Sequence, residues 1–237
     1  MSEKSKRRQV GRPPGNSTDK ANLREDILKE ALEILGEQGF THFSLKNVST
    51  RVGVTPAALY HYFANKNALI EETLGHFVLP VVYGLWELMD LEDDPVKMVV
   101  ALMDRLIEIA NSSPWFLPMW ARELADPAQP LRRYLTQNVD PQTIHRFCEK
   151  LRKAKENNIV NPDLLPDMLY ISLFASIFIP LLSISSWTDS WGFDITPERL
   201  VAHIRSMTLK GVFMPHVEIA FKDSPPLTLP EPPPKPL

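Results

Sequence analysis

One stretch of the sequence, residues 44–69, limits the possible fold more than any other. It reads SLKNVSTRVGVTPAALYHYFANKNAL. Ser44 is a hydroxyl residue suited to a helix N-cap. Apolar residues follow every three or four positions, at Leu45, Val48 and Val52. This spacing is typical of one side of a helix, and Gly53 can end that helix because glycine adopts the left-handed conformation without a Cβ penalty.

A second helix is predicted directly after the glycine. Thr55 is a good N-cap, and Pro56 suits the first helical position, where its missing N–H costs nothing. Leu59 and Phe63 lie four residues apart and form the predicted buried side. Two helices joined by a turn of about three or four residues that contains glycine make a helix-turn-helix, whose second helix can enter the major groove of DNA.

The outward side of this second helix carries small residues and hydrogen-bonding residues. Asn65 is a good N-cap for a following helix, and Lys66 beside it would offer an ammonium and backbone N–H groups to a phosphate. The residues predicted to bind DNA are Arg12, Ser44, Lys46, Thr55, Ala57, Tyr60, His61 and Lys66.

These residues carry a resemblance to a known family. The helix-turn-helix pattern of the TetR family of bacterial repressors is G-V-S/T-x-x-x-L-Y-x-x-F-x-x-K-x-x-L. The sequence resembles it at Gly53, Val54, Thr55, Leu59, Tyr60, Phe63, Lys66 and Leu69, and upstream at Ile27, Ala31, Gly39 and Phe40. It departs from the commonest pattern where Val48-Ser49 replaces Ile-Ala and where Ala57 replaces glycine. The resemblance is strong over residues 23–70 and architectural over 71–222.

The family resemblance implies a function as well as a fold. It implies a homodimeric transcriptional repressor that binds a palindromic operator on double-stranded DNA. It further implies that a small apolar or amphipathic effector enters the C-terminal domain, moves the helix that begins near Asn65 and so releases the DNA. The sequence leaves open two other functions. One is a ligand-independent DNA-binding regulator that acts through protein partners, and the other is a small-molecule carrier or enzyme built on the helical domain.

Charge is distributed unevenly along the chain. Residues 1–70 contain 11 Lys and Arg against 7 Asp and Glu, a charge of +4, whereas the remaining residues contain 15 against 22, a charge of −7. Several of the basic residues, Arg12 among them, precede the first predicted helix in a polar segment with Gly and Pro. We therefore expect residues 1–22 to form a flexible basic arm that contacts the DNA backbone or an A·T-rich minor groove.

Prolines indicate where the helices begin. Seven times a capping residue directly precedes proline, at Thr55, Asp94, Ser113, Asp126, Asp140, Asn161 and Thr196. This order is typical of a helix start, and period-two runs typical of strands are missing from the sequence. We predict an all-α protein of nine or ten helices. Its predicted parts are the arm (1–22), a three-helix helix-turn-helix DNA-binding domain (23–70), a helical ligand-binding and dimerisation domain (71–222) and a proline-rich disordered tail (223–237).

Aromatic residues and methionines are concentrated in the helices that the resemblance places around a ligand cavity. Such side chains suit irregular apolar ligands, although core packing explains any single one of them equally well. The residues predicted to line the cavity are Trp86, Met103, Trp115, Trp120, Phe147, Phe174 and Phe178.

Residues 168–188 contain no charged side chain. A membrane span is one reading, since about 18 or more apolar residues suffice. Serines and the central Pro180 interrupt the run, however, and no basic cluster flanks it. We therefore predict a helix buried on all sides, partly against a second subunit, and no membrane contact. The helix predicted to accompany it extends from Thr196 to Phe221.

Motifs for catalysis and for cofactor binding are missing from the sequence. It contains no G-x-S-x-G, no phosphate-binding loop, no G-x-G-x-x-G, no H-E-x-x-H and no C-x-x-C. We therefore predict no enzymatic activity and no cofactor, and we assign no catalytic or metal-ligating residue. The single cysteine, Cys148, and the absence of an apolar signal sequence indicate a cytoplasmic protein.

Overall fold

A computed structural model describes residues 17–125 and 130–219 of the chain. Ten helices lie in that part, and its only extended pairing is a single bridge between Val160 and Phe213. The predicted all-α class is therefore confirmed. The helices are α1 (Ser17–His42), α2 (Leu45–Val52), α3 (Pro56–Leu59), α4 (Lys66–Leu91), α5 (Pro95–Ser112), α6 (Phe116–Ala125), α7 (Pro130–Asn138), α8 (Gln142–Glu156), α9 (Pro166–Trp191) and α10 (Pro197–Val212).

Two hydrophobic clusters hold these helices together. The first joins α1, α2, α3 and the start of α4, with Ile27, Leu59 and Leu69 fully buried. The second joins the end of α4 to α5, α6, α8, α9 and α10. Each fully buried side chain of this size contributes about 1.5–3 kcal/mol. Helix α4 passes from one cluster to the other with a π-helical turn at Leu74–Val78, so the domain boundary predicted at residue 70 falls inside a continuous helix.

Several predicted helix starts agree with the structure. Thr55, Asp94 and Thr196 are N-caps whose side chains accept backbone N–H groups, with proline at the next position. The helices after Ser113 and Asp140 begin later, at Phe116 and Gln142. The start predicted at Asn161 is wrong, because its side chain accepts from the Asp163 N–H and closes a turn instead. The pair Asp126-Pro127 lies outside the described residues.

Two predicted boundaries are corrected by the structure. Helix α1 already begins at Ser17, so residues 17–22 of the predicted arm are helical. No glycine or proline lies between Asn16 and Gly36 to stop the helix from extending outward. Helix α10 ends at Val212 rather than Phe221, because Phe213 is extended and Pro215 cannot continue a helix. The rest of the predicted arm and the tail from 223 lie outside the described residues.

Two of the helices, Lys66–Leu91 and Pro166–Trp191, are long and apolar enough to cross a membrane, judged by length and composition alone. Both pack one side into the protein. Leu74 of α4 and Leu173 and Ile177 of α9 are completely buried. The core therefore explains why one side of α9 is apolar. The other side of α9 is exposed in the single chain, so the helix is not buried on all sides by its own chain alone.

Candidate DNA-binding surface and ligand cavity

Helices α2 and α3 form the predicted helix-turn-helix. The Ser44 side chain accepts the Asn47 N–H at 3.1 Å and caps α2. Gly53 ends the helix in the left-handed conformation, with φ of 77° and ψ of 30°. Thr55 then caps α3 by accepting the Ala58 N–H at 3.2 Å. The turn that the sequence predicts is thus built from side-chain caps at the start of each helix and a left-handed glycine between them.

The second helix presents four predicted DNA-binding residues to solvent. Thr55, Ala57, Tyr60 and His61 are exposed, and Tyr60 keeps 59% of its surface. On the opposite side, Leu59 is completely buried. Regular α-helix extends only over Pro56–Leu59, and the following turn is held by bonds such as Phe63 N–H to the Leu59 carbonyl at 2.9 Å. The regular part of this helix is therefore short, yet it presents the predicted side chains.

The remaining predicted DNA contacts lie in different settings. Lys46 is exposed in the first turn of α2, next to the capping Ser44. The Lys66 ammonium instead donates to the Phe40 carbonyl at 3.2 Å and lies 5.8 Å from the centre of the Phe43 ring. Its charge therefore supports the end of α1, and in this position the ammonium points to the Phe40 carbonyl. Arg12 lies outside the described residues.

A cavity of about 860 Å³ lies among α4, α6, α7, α8 and α9. Its walls are almost entirely apolar, and none of the described residues that line it is charged. It is open on one side, where the exposed residues Ile171, Ile179 and Leu182 of α9 form part of the lining. A large apolar cavity with few polar groups is the usual form of a small-molecule site.

Four of the seven side chains predicted to line the cavity do so, namely Trp86, Trp120, Phe174 and Phe178. Met103 and Phe147 are instead completely enclosed in the core behind the wall, and Trp115 packs against Gly36 of α1. A helical stripe of apolar residues cannot reveal which of its members meets a neighbouring helix and which meets a gap. This ambiguity explains why the prediction mixed wall and core residues.

Four residues of the cavity lining have polar side-chain groups, namely Thr136, Tyr170, Trp86 and Trp120. Burial raises the pKa of the Tyr170 phenol, and the neighbouring Trp86 N–H only partly opposes this shift, so the phenol stays protonated at neutral pH. Within the described residues, the Trp120 Nε1–H is shielded from solvent and has no hydrogen-bond acceptor.

Helix α6 joins this cavity to the DNA-binding part of the chain. Trp120 and Ala121 line the cavity, and Arg122, the next residue, donates to the carbonyl oxygens of Gly36 and Glu37 in α1. Arg122 is not among the residues predicted from the sequence to be functional. The only signal in the sequence is an arginine inside an apolar helix, which by itself does not reveal a partner more than 80 residues earlier in the chain.

One side of α9 forms an exposed apolar surface. Met168, Ile171, Ala175, Ile179 and Leu182 recur at three- and four-residue steps, and all but Ala175 are exposed. All but Met168 also border the open side of the cavity. We call this set the outer face of α9. Exposed apolar surface of this extent commonly marks an interaction site.

Comparison with known proteins agrees with this geometry. Residues 27–73 match the family model described as bacterial regulatory proteins, tetR family. The transcriptional regulator UidR of Escherichia coli K12 is 39% identical over 155 residues, which cover 62% of this chain and 74% of UidR. The chain belongs to the TetR family.

Two solved structures share the fold over most of the chain. The ketosteroid transcriptional regulator KstR2 of Mycobacterium tuberculosis has a TM-score of 0.60 at 18% identity, covering 81% of this chain and 95% of KstR2. A complex of SmeT with triclosan has a TM-score of 0.56 at 22% identity, covering 90% and 100%. The family match and the regulators among its relatives identify this TetR-family protein as a DNA-binding transcriptional regulator with a helix-turn-helix.

Proposed function

We propose that this TetR-family regulator is a homodimeric repressor that leaves its operator when a small, mostly apolar effector occupies the cavity among α4, α6, α7, α8 and α9. The observation that carries the proposal is the position of α6. Trp120 of α6 lines the cavity, and Arg122, two residues further on, binds the end of α1. A ligand that displaces α6 therefore acts on the helix against which α2 and α3 are packed.

DNA recognition rests on the exposed side of the helix-turn-helix. Lys46, Thr55, Ala57, Tyr60 and His61 are accessible there, and the two caps and Gly53 fix the turn that presents them. Tyr60 and His61 supply hydrogen-bonding groups, while Ala57 permits close approach to the base edges. We assign base reading to this surface. The Lys66 ammonium is assigned to the support of α1, because it is engaged by the Phe40 carbonyl.

Dimerisation is assigned to the outer face of α9. This face is apolar and largely exposed, and no charged residue lies between Met168 and Thr188. Four of its residues also border the open side of the cavity, so a partner subunit packed there would help to close the cavity. A two-fold dimer would place two α3 helices on successive major grooves, about 34–36 Å apart, and would therefore select a palindromic operator.

Release requires that the effector binds best to an arrangement that fits DNA poorly. On typical values a coupling of about 1–3 kcal/mol between the two sites is enough. In the proposed mechanism, the effector shifts α6, Arg122 carries the shift to α1, and α1 moves together with α4. The separation of the two α3 helices in the dimer then changes. The SmeT complex with triclosan, a small molecule, supports a ligand-binding role for this fold. A cytoplasmic location follows from action on DNA.

Selection of binding sites from a random DNA pool at near-physiological salt tests this function. The full chain should enrich a palindrome with half-sites about one helical turn apart. A pool without a consensus sequence would contradict operator recognition.

Sedimentation of the protein alone tests the dimer. Met168→Glu, in the outer face of α9 but outside the cavity lining, should give a monomer, whereas Leu91→Glu changes an exposed leucine at the end of α4 and should leave the dimer intact. Monomeric wild-type protein at micromolar concentration would contradict the proposed symmetry.

A further inference from the structure

Three aromatic side chains at the carboxyl end of α9 remain exposed. Trp187 keeps 45% of its surface and Trp191 keeps 71%, and Phe193, two residues beyond the helix, keeps 53%. The ring centres of Trp187 and Trp191 are 6.2 Å apart, and those of Trp187 and Phe193 are 6.3 Å apart. Because aromatic side chains stabilise a protein mainly through burial, a cluster of this kind left in water marks an interaction surface.

A groove of about 280 Å³ lies beside this cluster, between α9 and the segment that leads into α10. Its lining is apolar and consists of Pro180, Ile184, Trp187, Phe193, Ile195 and Leu200. The Trp187 Nε1–H donates to the Ser183 hydroxyl at 3.2 Å, so the indole offers its ring rather than its N–H to an occupant. None of these lining residues belongs to the outer face of α9 or to the ligand cavity. The groove is therefore separate from both surfaces described above.

The chain itself contains a segment suited to such a groove. Residues 223–237 lie outside the described residues and include seven prolines. Proline disfavours helix and sheet but favours the extended polyproline II conformation. Proline-rich segments in that conformation bind in grooves lined by aromatic rings, because a preformed extended chain loses little entropy on binding. The longest proline run of the segment is 232–234.

The segment is long enough to reach the groove. The described part of the chain ends at Ile219. Leu200, in the groove, and Val212, the last residue of α10, are separated by about 18 Å along the helix. Residues 213–219 add at most about 23 Å, even if they extend directly away from the groove. A polyproline II chain over residues 220–233 covers about 43 Å, which is enough in the least favourable direction.

Attachment to the same chain lowers the affinity that this contact needs. A flexible connection gives the tethered segment an effective concentration of about 1 mM. An intrinsic dissociation constant of about 1 mM then fills the groove about half of the time. A weak contact, such as the packing of a proline run on the Trp187 and Phe193 rings, is therefore sufficient.

We propose that residues 223–237 bind in the groove of their own chain, with the run 232–234 packed on the rings of Trp187 and Phe193. The bound segment shields these rings from water and blocks the groove to other proteins. This inference is independent of the proposed ligand response and of the proposed dimer, because the groove shares no residue with the cavity or with the outer face of α9.

The first test follows the tryptophan side chains of the full-length protein by fluorine NMR after incorporation of 5-fluorotryptophan. The Trp187 signal is assigned by its loss in Trp187→Phe. The triple variant Pro232→Gly, Pro233→Gly, Pro234→Gly keeps the length and the charge of the segment but removes its preformed extended conformation. Thr228→Gly, which introduces a glycine without removing a proline, is the matched control.

The triple variant should move the Trp187 signal and increase its sensitivity to exchange of water for D₂O, because the ring loses its cover. The signals of Trp86 and Trp120, which line the ligand cavity, should stay in place. Thr228→Gly should leave all of these signals unchanged. An unmoved Trp187 signal in the triple variant would overturn the proposal.

A second test identifies what covers the groove. The photoreactive amino acid p-benzoylphenylalanine replaces Glu231 in the full-length protein, and the adducts formed on irradiation are mapped by mass spectrometry. They should fall within residues 180–200 of a product with the mass of a single chain. Trp187→Ser should lower the yield about threefold or more, because a stacking surface is lost, whereas Trp191→Ser, outside the groove lining, should not.

Two patterns of adducts would contradict the proposal. Adducts spread over many parts of the surface would mean that the segment has no fixed binding site. Adducts within residues 180–200 that join two chains, at twice the mass, would mean that the groove is filled by the segment of a second copy rather than by that of its own chain.

Discussion

The guanidinium of Arg122 donates a hydrogen bond to the carbonyl oxygen of Gly36, which fastens the cavity-lining helix α6 to the turn of α1 that precedes Gly39. A second bond reaches the Glu37 carbonyl. Helix α1 is interrupted at Gly39, where φ is 72° and ψ is 177°, so carbonyls just before this break have no intrahelical partner. Arg122 satisfies two of them. The guanidinium therefore acts both as a C-cap for α1 and as a link between two parts of the regulator.

Arg122→Ala should lower the free energy of unfolding by about 1–3 kcal/mol, because hydrogen bonds from a charged group are lost and two helix-end carbonyls are left without a donor. It should also reduce toward none the effect on operator affinity of 2-undecanone, a mostly apolar ketone used here as a probe of the cavity. Arg133→Ala removes an exposed arginine from α7 and serves as the control. The measurements are urea unfolding, and operator binding with and without the ketone. An unchanged ketone effect in Arg122→Ala would exclude this link as the route between the two sites.

Lys66→Met should affect folding more than DNA binding. The ammonium donates to the Phe40 carbonyl, so its removal should cost about 1 kcal/mol of unfolding free energy while the apolar part of the side chain is kept. The dependence of DNA affinity on salt should stay as in wild type. Lys46→Met, at an exposed position, should instead reduce the slope against log salt by about one. A comparable loss of slope in Lys66→Met would restore the phosphate contact that the sequence alone suggested.

Tyr60→Ala should weaken binding to the selected operator by about 1–3 kcal/mol and change binding to random DNA much less. Its side chain is 59% exposed at the end of α3, so the thermal stability should change little. Competition titrations with operator and with random DNA measure the two affinities. Leu91→Glu, an exposed substitution remote from the helix-turn-helix, provides the comparison. Equal losses on both DNA types would assign Tyr60 to the backbone rather than to the bases.

Features that depend on neighbouring residues could be predicted from the sequence, whereas contacts between distant segments could not. The caps at Ser44 and Thr55 and the left-handed Gly53 could be predicted, because each depends on residues within a few positions of itself. The exposure of Tyr60 could also be predicted locally, because the spacing of Leu59 and Phe63 places these two residues on the buried side of the helix-turn-helix and leaves Tyr60 outside it. Short-range chemistry of this kind also carries the family resemblance.

Contacts between distant segments could not be predicted in this way. The Lys66 ammonium meets a carbonyl 26 residues earlier, and Arg122 meets one 86 residues earlier. The residues next to Lys66 and Arg122 in the sequence indicate neither partner. The residues of the cavity wall could not be predicted for the same reason. Phe147 and Phe174 are alike in sequence context, but only Phe174 faces a gap between helices.

Acid should destabilise the wild-type regulator partly through Asp90. Arg146 of α8 binds this carboxylate at the end of α4 with two bonds, of 2.7 Å and 2.6 Å, and this pairing holds the Asp90 pKa below its ordinary value despite the opposing effect of burial. A carboxyl whose pKa is lower in the folded state stabilises the protein above its unfolded pKa of about 3.9. That contribution is lost as the pH falls toward the folded pKa.

Asp90→Asn should therefore lower the urea midpoint at pH 7, and the difference from wild type should shrink steadily below about pH 4. Asp189→Asn, an exposed position on α9, should behave as wild type across the same range. Urea unfolding followed by circular dichroism at several pH values between about 2 and 7 makes the comparison. A difference that persisted undiminished at the lowest pH would mean that the ionised carboxylate is not what Arg146 stabilises. The junction between α4 and α8 would then depend on packing and neutral hydrogen bonds, and the acid sensitivity would originate elsewhere in the chain.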